Sequence, residues 1–254
     1  MNLAFPFSRA SAFVVVLALT LVFASGVIAA DITSYYPLRV GNAWSYATAS
    51  HTTVVAGFDV QESEKLGTME QRVVGPSRFS TKELKVFAVD TTIEERGSGV
   101  APAVKVDTTL HLSTSPSAIE LHAVDLAGGT GAKLAKPVSI LHDPPLREAT
   151  TSALGALTVT VAFKSRAVES ISVAAGKFPK ALKTISEGPV SGELSGLPVH
   201  SGTITETSWF VRNVGLVKQE RILDVALRTT DGNEVRLKEK TERELRKFSS
   251  TKAN

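Results

Sequence analysis

Beyond residue 30 the apolar side chains of this chain fall mostly at alternate positions, in short runs bounded by Gly, Pro, Asn and Ser. Alternation is the period of a strand with one buried face, and Val, Ile and Thr supply the β-branched residues that strands favour. Helical spacing is scarce. The pattern predicts strands over 43–50, 53–60, 68–74, 83–94, 104–113, 118–126, 157–163, 169–173, 180–187, 202–211, 216–228 and 234–246. Three turns join neighbours: Ser115-Pro116, Asn213-Val214-Gly215 and Asp231-Gly232-Asn233. Asp-Gly is a strong hairpin signal. Long strands in sequential antiparallel order predict an all-β fold, a long-stranded antiparallel meander forming a curved open sheet or incomplete barrel.

Stretches rich in Gly, Pro and Ala at 97–102, 128–137 and 189–198 read as loops. The segment 128–156, with Pro137, Pro144 and Pro145, is the best place to divide the chain, but one continuous β-rich domain over 31–254 is the preferred reading. The C-terminal run "LKEKTERELRKF" predicts a charged outer strand that frays into a helix. Its Lys and Glu would discourage edge-to-edge pairing.

The first thirty residues follow a different pattern. Arg9 precedes an apolar run from Phe13 to Phe23, and Ala29-Ala30 offers a cleavage site before Asp31. This is the layout of a signal peptide over 1–30. The alternative is an uncleaved anchor, since Ala10 to Ala30 is long enough to span a bilayer. The absence of cysteine excludes disulfides, thiolate metal sites, catalytic thiols and a lipid-modified cysteine. A periplasmic or secreted protein resting on its core alone fits best. Net charge is +3, from 28 basic and 25 acidic residues mixed along the chain, which gives little support to nucleic-acid binding.

The densest aromatic stretch is "YYPLRVGNAWSY", residues 35–46, which holds all 3 tyrosines and one of the 2 tryptophans. Pro37 biases Tyr36 to an extended conformation, and Gly41-Asn42 suits a turn. Trp44 and Tyr46 are two apart and share a strand face. The stretch reads as a chain entry that folds over the end of a sheet and plugs it, with ligand stacking as the competing role.

This stretch resembles the opening of a broad group of uncharacterised bacterial exported β-rich proteins, whose mature chains begin YFPLxVGNxWxY. "ESISVAAGKFPKALK", residues 169–183, is similar to the group's VPAGxF segment, with Ala174 where proline is usual. "SWFVRNVGLVKQE", residues 208–220, resembles its VGLVKxE signature. The resemblance implies an exported β-rich domain and no established activity. Some such domains resemble the half-barrels of lipoprotein carriers, an analogy of fold.

Chemistry-bearing constellations are few. A turn at Ser115-Pro116 would set Leu112 against Ile119 and Leu110 against Leu121. His111 would then lie across from Glu120, on a face shared with Thr109 and His122. His111, Glu120 and His122 form the one candidate metal site, and a solvated outer face is the plainer reading. "HDPPLRE", residues 142–148, reads as a loop, and "GGTGAK", residues 128–133, lacks phosphate-loop spacing. No GxSxG and no HExxH occurs. The expected function is non-enzymatic and cofactor-free. A curved sheet would hold an apolar or amphipathic ligand, lined by Trp44, Tyr46, Phe178 and Trp209. The alternatives are a structural or interaction module contacting an envelope protein and, less favoured, a metal-dependent hydrolase.

Overall fold

The structure is a computed structural model that describes residues 32–97, 102–126, 132–142, 150–154 and 157–251. The signal-peptide segment, the loop at 128–131 and most of "HDPPLRE" lie outside the described residues. Among the described residues, a 3-10 turn at Ile32–Tyr35 is followed by twelve strands. They are β1 (Ala43–Ala56), β2 (Asp59–Pro76), β3 (Val86–Gly97), β4 (Val104–Thr114), β5 (Ala118–Leu126) and β6 (Ala132–His142). They continue with β7 (Thr150–Leu154), β8 (Leu157–Val173), β9 (Gly176–Leu194), β10 (Leu197–Val211), β11 (Gly215–Arg228) and β12 (Glu234–Ser249). Among the described residues no helix is long and apolar enough to cross a membrane.

All twelve strands belong to one antiparallel sheet, a meander that curls into an open half-barrel. Its order runs from β6 down to β1, then β12 down to β7. The first and last strands therefore pair in the middle, Ala43 to Ala56 against Ser249 to Val235. The edges are β6 and β7. The sheet opens inside 128–156, the region where the sequence offers the best division.

The C-terminal run is a strand throughout, but a central one between β1 and β11. The expectation of an outer strand fraying into a helix is corrected. Alternation explains the strand: Glu239, Arg243 and Leu245 are buried, while Lys238, Lys240 and Arg246 point to water.

Other boundaries also move. The break expected near residue 51 is absent, because β1 runs on to a turn at Gly57 and pairs with "DVQESEKLG" of β2. That segment is wet on both faces, so it carries no apolar alternation to announce it. Part of the expected loop at 128–137 is strand β6, and most of 189–198 is a continuation of β9 and β10 around Gly196. The three sequence-marked hairpins occur where expected, with Asn213, Gly215 and Gly232 at positive φ.

The inner face holds the core. Its apolar residues include Trp44 and Tyr46 of β1, Met69 and Val73 of β2, Val89 and Ile93 of β3, and Leu110 and Leu112 of β4. Ile204 and Phe210 of β10 and Val217 and Leu223 of β11 complete it from the other limb. The 3-10 turn caps one end. Ile32 donates its backbone N–H to Pro116 O, and Asn213 donates its own to Ser34 O, so two hairpins from opposite limbs are tied together.

Candidate functional site

Two consecutive rows of the inner face are polar, although they lie between apolar rows. The first crosses seven strand pairings: Arg166, Thr184, Ser208, Gln219, Arg243, Thr48, Gly67 and Glu95, each directly opposite the next. The second runs Ser186, Glu206, Arg221, Thr241, Ser50 and Lys65. On the plugged side the neighbouring row is Leu245, Tyr46, Met69 and Ile93. On the far side the adjoining row pairs Ile204 and Leu223 with buried Glu239 and with Thr52, and the row after it holds Val225, Leu237 and Val54.

This belt is buried on the β9–β12 side, where Glu206, Arg221 and Arg243 are at most 3% exposed. It grades to half-buried Lys65 and Glu95 on β2 and β3. Its hydrogen bonds form a chain. Arg243 donates to Gln219 Oε1, Gln219 Nε2 donates to Ser208 Oγ at 3.3 Å, and Ser208 Oγ donates to Glu206 Oε1 at 3.2 Å. Arg221 donates to Thr241 Oγ1 at 3.3 Å. Burial pushes the Glu206 carboxyl up to about 8, against the pull of Arg221 and Arg243 and the hydrogen bonds from Gln219 and Ser208. Near neutral pH it is therefore mostly the neutral acid. Burial also raises Glu95, with Lys65 opposing, and lowers Arg243, whose guanidinium stands over the Tyr46 ring.

A row spacing of two residues means that Gly67 holds a belt position. A Cβ there would meet Glu94 O at 2.2 Å, so β2 and β3 approach too closely at this point for any side chain.

Of the four residues expected to line a ligand face, two sit together on the inner wall. Trp44 is fully buried, stacks on Tyr36 and Phe248 at 5.3 and 5.5 Å, and donates its indole N–H to Val214 O. Tyr46 OH donates to Leu216 O at 3.1 Å. Phe178 is half-buried across from Ile171 on the β8–β9 hairpin and packs on the core margin. Trp209 belongs to the opposite face from its neighbours Ser208 and Phe210. There it lies between its cross-strand partners Lys183 and Lys218 and donates to Glu169 Oε1 at 2.7 Å.

The three quoted motifs meet one another. Trp44 and Tyr46 bond to the Val214-Leu216 turn, and Ala175 N donates to Leu245 O beside Tyr46. Gly215, at φ 107°, brings its α-carbon onto the Trp44 indole, where a Cβ would stand 3.1 Å from Nε1.

The histidine register differs from expectation. The β4–β5 turn closes between Ser115 and Ala118, and a bulge follows at His122. Leu112 therefore faces Leu121, His111 faces Ala123, and Glu120 faces Ser113. His111 Nδ1 and Ser77 Oγ share a hydrogen bond of 2.7 Å, and Nε2 stands 3.0 Å from Asp125 Oδ2. His122 Nε2 is 2.8 Å from Ser113 Oγ and 3.9 Å from Glu120. The described residues hold no group of three or more His, Cys, Asp or Glu placed to share a metal ion.

The order Ser77, His111, Asp125 is that of an acyl-transfer relay, but its surroundings are those of a clamp. Ser77 Oγ also accepts the Phe79 N–H at 3.1 Å, and the Phe79 ring stands edge-on to the imidazole at 4.8 Å. Ser77 and His111 are 6% and 3% exposed. The cluster pins the loop after β2 over the outer face.

Sequence reading passed over Arg166, Glu206, Gln219, Arg221 and Arg243. A signal was present. In "TITETSWF" Glu206 is in phase with Ile204, Ser208 and Phe210, and in "VKQERIL" Gln219 and Arg221 are in phase with Val217 and Leu223. Polar residues in phase with a core face deserve the same scrutiny as motifs.

No protein-family model matches this chain, and no curated protein matches it. Among solved structures, a candidate lipoprotein from Parabacteroides distasonis aligns with a TM-score of 0.44 at 13% identity, over 85% of this chain and 98% of the other. A candidate exported protein of YmcC-like fold from Bacteroides fragilis gives 0.43 at 9% identity, over 90% of this chain and 100% of the other. An S-type phycobiliprotein lyase from Guillardia theta gives 0.35 at 10% identity, over 87% and 94%.

Proposed function

We propose that this chain is an exported, non-enzymatic protein of the periplasm or cell exterior, with residues 31–254 as one β-rich domain once 1–30 is removed. It holds an amphipathic small molecule against the inner face of its curled sheet. The observation that carries this reading is the pair of polar rows set between apolar rows. Burying guanidinium and carboxyl groups costs several kcal/mol per ion unless geometry repays it, and apolar residues would stabilise these positions more simply. A wall with a polar belt between two apolar bands matches a molecule with a polar head and an apolar body. Trp44 and Tyr46 form the floor beneath the belt, and Phe178 packs on the margin of the core.

The test is native mass spectrometry of the full chain, expressed with its own leader and purified from a bacterial periplasm. A mass above that of the processed polypeptide by the increment of one amphiphile, lost on denaturation, supports the reading. An apo mass after export, unchanged on incubation with detergents and lipids, sinks it. That outcome would favour an envelope interaction module, for which the fully exposed Phe58 beside exposed Val60 at the β1–β2 hairpin is the supporting feature.

A further inference from the structure

We infer that the edge of β2 over residues 59–64 is a docking site for an extended, lysine- or arginine-rich segment of another protein, which joins the sheet as a strand where β3 does not reach. This surface is independent of the ligand-holding reading. β2 is a regular strand from Asp59 onward, and β1 pairs with it from Ala56↔Asp59 through the whole hairpin. On its other side the described residues pair with β2 no further than Lys65, opposite Gly97. Six residues, about 20 Å of strand, therefore carry main-chain N–H and C=O groups on one side with no ladder among the described residues. β1 is backed in turn by β12, which pairs with it as far as Ala56↔Val235. The template is thus ordered before a partner arrives, which lowers the entropic cost of adding a strand to it.

The side chains set which strand fits. Asp59 to Glu64 are exposed on both faces, and Phe58 and Val60, 106% and 60% exposed, stand at the start of the edge. Val60, Glu62 and Glu64 share one face, opposite Val55, Thr53 and His51 of β1. The carboxyls of Asp59, Glu62 and Glu64 make no hydrogen bond or ion pair with the described residues. The cations across β1 are engaged on their own side. Arg236, opposite Val55, bonds Asp224 at 2.8 Å; Lys238, opposite Thr53, also faces Asp224; Lys240, opposite His51, bonds Glu242. Charges on a bare edge keep out unwanted strands, and here the exclusion is selective. A second copy of this edge, or any acidic segment, would set carboxylate against carboxylate. A strand with basic residues at alternate positions sets its cations against Glu62 and Glu64, and an apolar residue two further on meets Val60.

The experiment is titration of the exported full chain with three capped peptides of about eight residues. One alternates lysine with threonine, one alternates glutamate with threonine, and the third is the lysine peptide with its backbone amides N-methylated. Hydrogen exchange on each mixture locates the contact. The lysine peptide is expected to bind at least about tenfold more tightly than either of the others, and to slow exchange within residues 59–64. Glu62→Lys combined with Glu64→Lys is expected to reverse the preference between the lysine and glutamate peptides, with the fold checked by circular dichroism. Glu62→Gln combined with Glu64→Gln is the second variant, expected to remove most of the preference. Equal binding of the lysine peptide and its N-methylated form overturns the inference, because charge attraction alone would then suffice. No binding of the lysine peptide, or protection confined to other strands, overturns it as well. Phosphatidylcholine vesicles are the remaining probe. Binding to them that is lost in Phe58→Ser, with no peptide bound, overturns the inference in favour of a tip that docks on a lipid surface.

Discussion

The two ends of the inner face are built from the same strands and treat water in opposite ways. At the plugged end, β1 and β2 present Trp44, Tyr46, Met69 and Val73, each at most 2% exposed. Tyr36 lies on them and donates its hydroxyl to Gln71 at 3.2 Å. At the other end the same two strands carry His51 to Ala56 and Asp59 to Glu64, half-buried or exposed, and finish in Phe58 wholly in solvent. Between these extremes lies the belt. Strand pairing alone does not decide whether a face is dry. The opposite limb of the curl and the capping turn cover one end and leave the other uncovered.

The sharpest way to break this contrast is at the closed end. Trp44→Ala removes two aromatic stacks and a hydrogen bond from a sealed site, and a loss of about 3–5 kcal/mol is expected in urea or guanidinium unfolding. A loss below about 1 kcal/mol would mean that the plug does not seal the core.

Glu206 tests the belt through pH. Its carboxyl titrates at about 8 in the fold, against 4.5 as the ordinary value. The folded state therefore holds the proton more tightly. The contribution of this group to stability is greatest below pH 4.5, falls as pH rises from 4.5 to about 8, and is level above. At about 1.4 kcal/mol per pH unit of displacement the total amounts to a few kcal/mol. Glu206→Gln should flatten that decline and be more stable than the parent at pH 9. Identical pH profiles would show that the carboxyl is solvated.

On the outer face, Ser77→Ala removes the hydroxyl from the His111 clamp, and a cost of about 1–2 kcal/mol is expected, with faster proteolysis in the loop before β3. Unchanged proteolysis would show that His111 does not hold the loop. The smallest effect belongs to the rim: Phe58→Ser should move stability by no more than about 0.5 kcal/mol. A larger loss would place Phe58 in a buried contact.

The parts of the fold that could be read from the chain are those written locally. The turn at Asp231-Gly232-Asn233 needs a residue that tolerates positive φ, and Gly232 takes it at 84°. The aromatic stretch at 35–46 announced a sealed end because so much apolar surface on one strand face has to be covered. The belt was harder to see. Glu206 and Arg221 look like ordinary surface residues in a charged strand until their phase with Ile204 and Leu223 is weighed. The histidine register failed for a different reason. The turn closes around Pro116-Ser117 rather than Ser115-Pro116, which sets Ser113 and not His111 against Glu120, and a bulge at His122 then shifts the pairing once more, which nothing in "IELHAVDL" marks.

Taken by itself, the chain determined an all-β meander, most of its strands, three of its hairpins and the residues of its plug, because period, turn chemistry and aromatic bulk act over a few neighbours. Only the tertiary structure decided that β12 closes the sheet beside β1, that Trp209 is buried between two lysines, and that two polar rows line the inside. These depend on which strands become neighbours and which way the sheet curls. A strand's alternation marks two faces, and the curl determines which of them is turned inward.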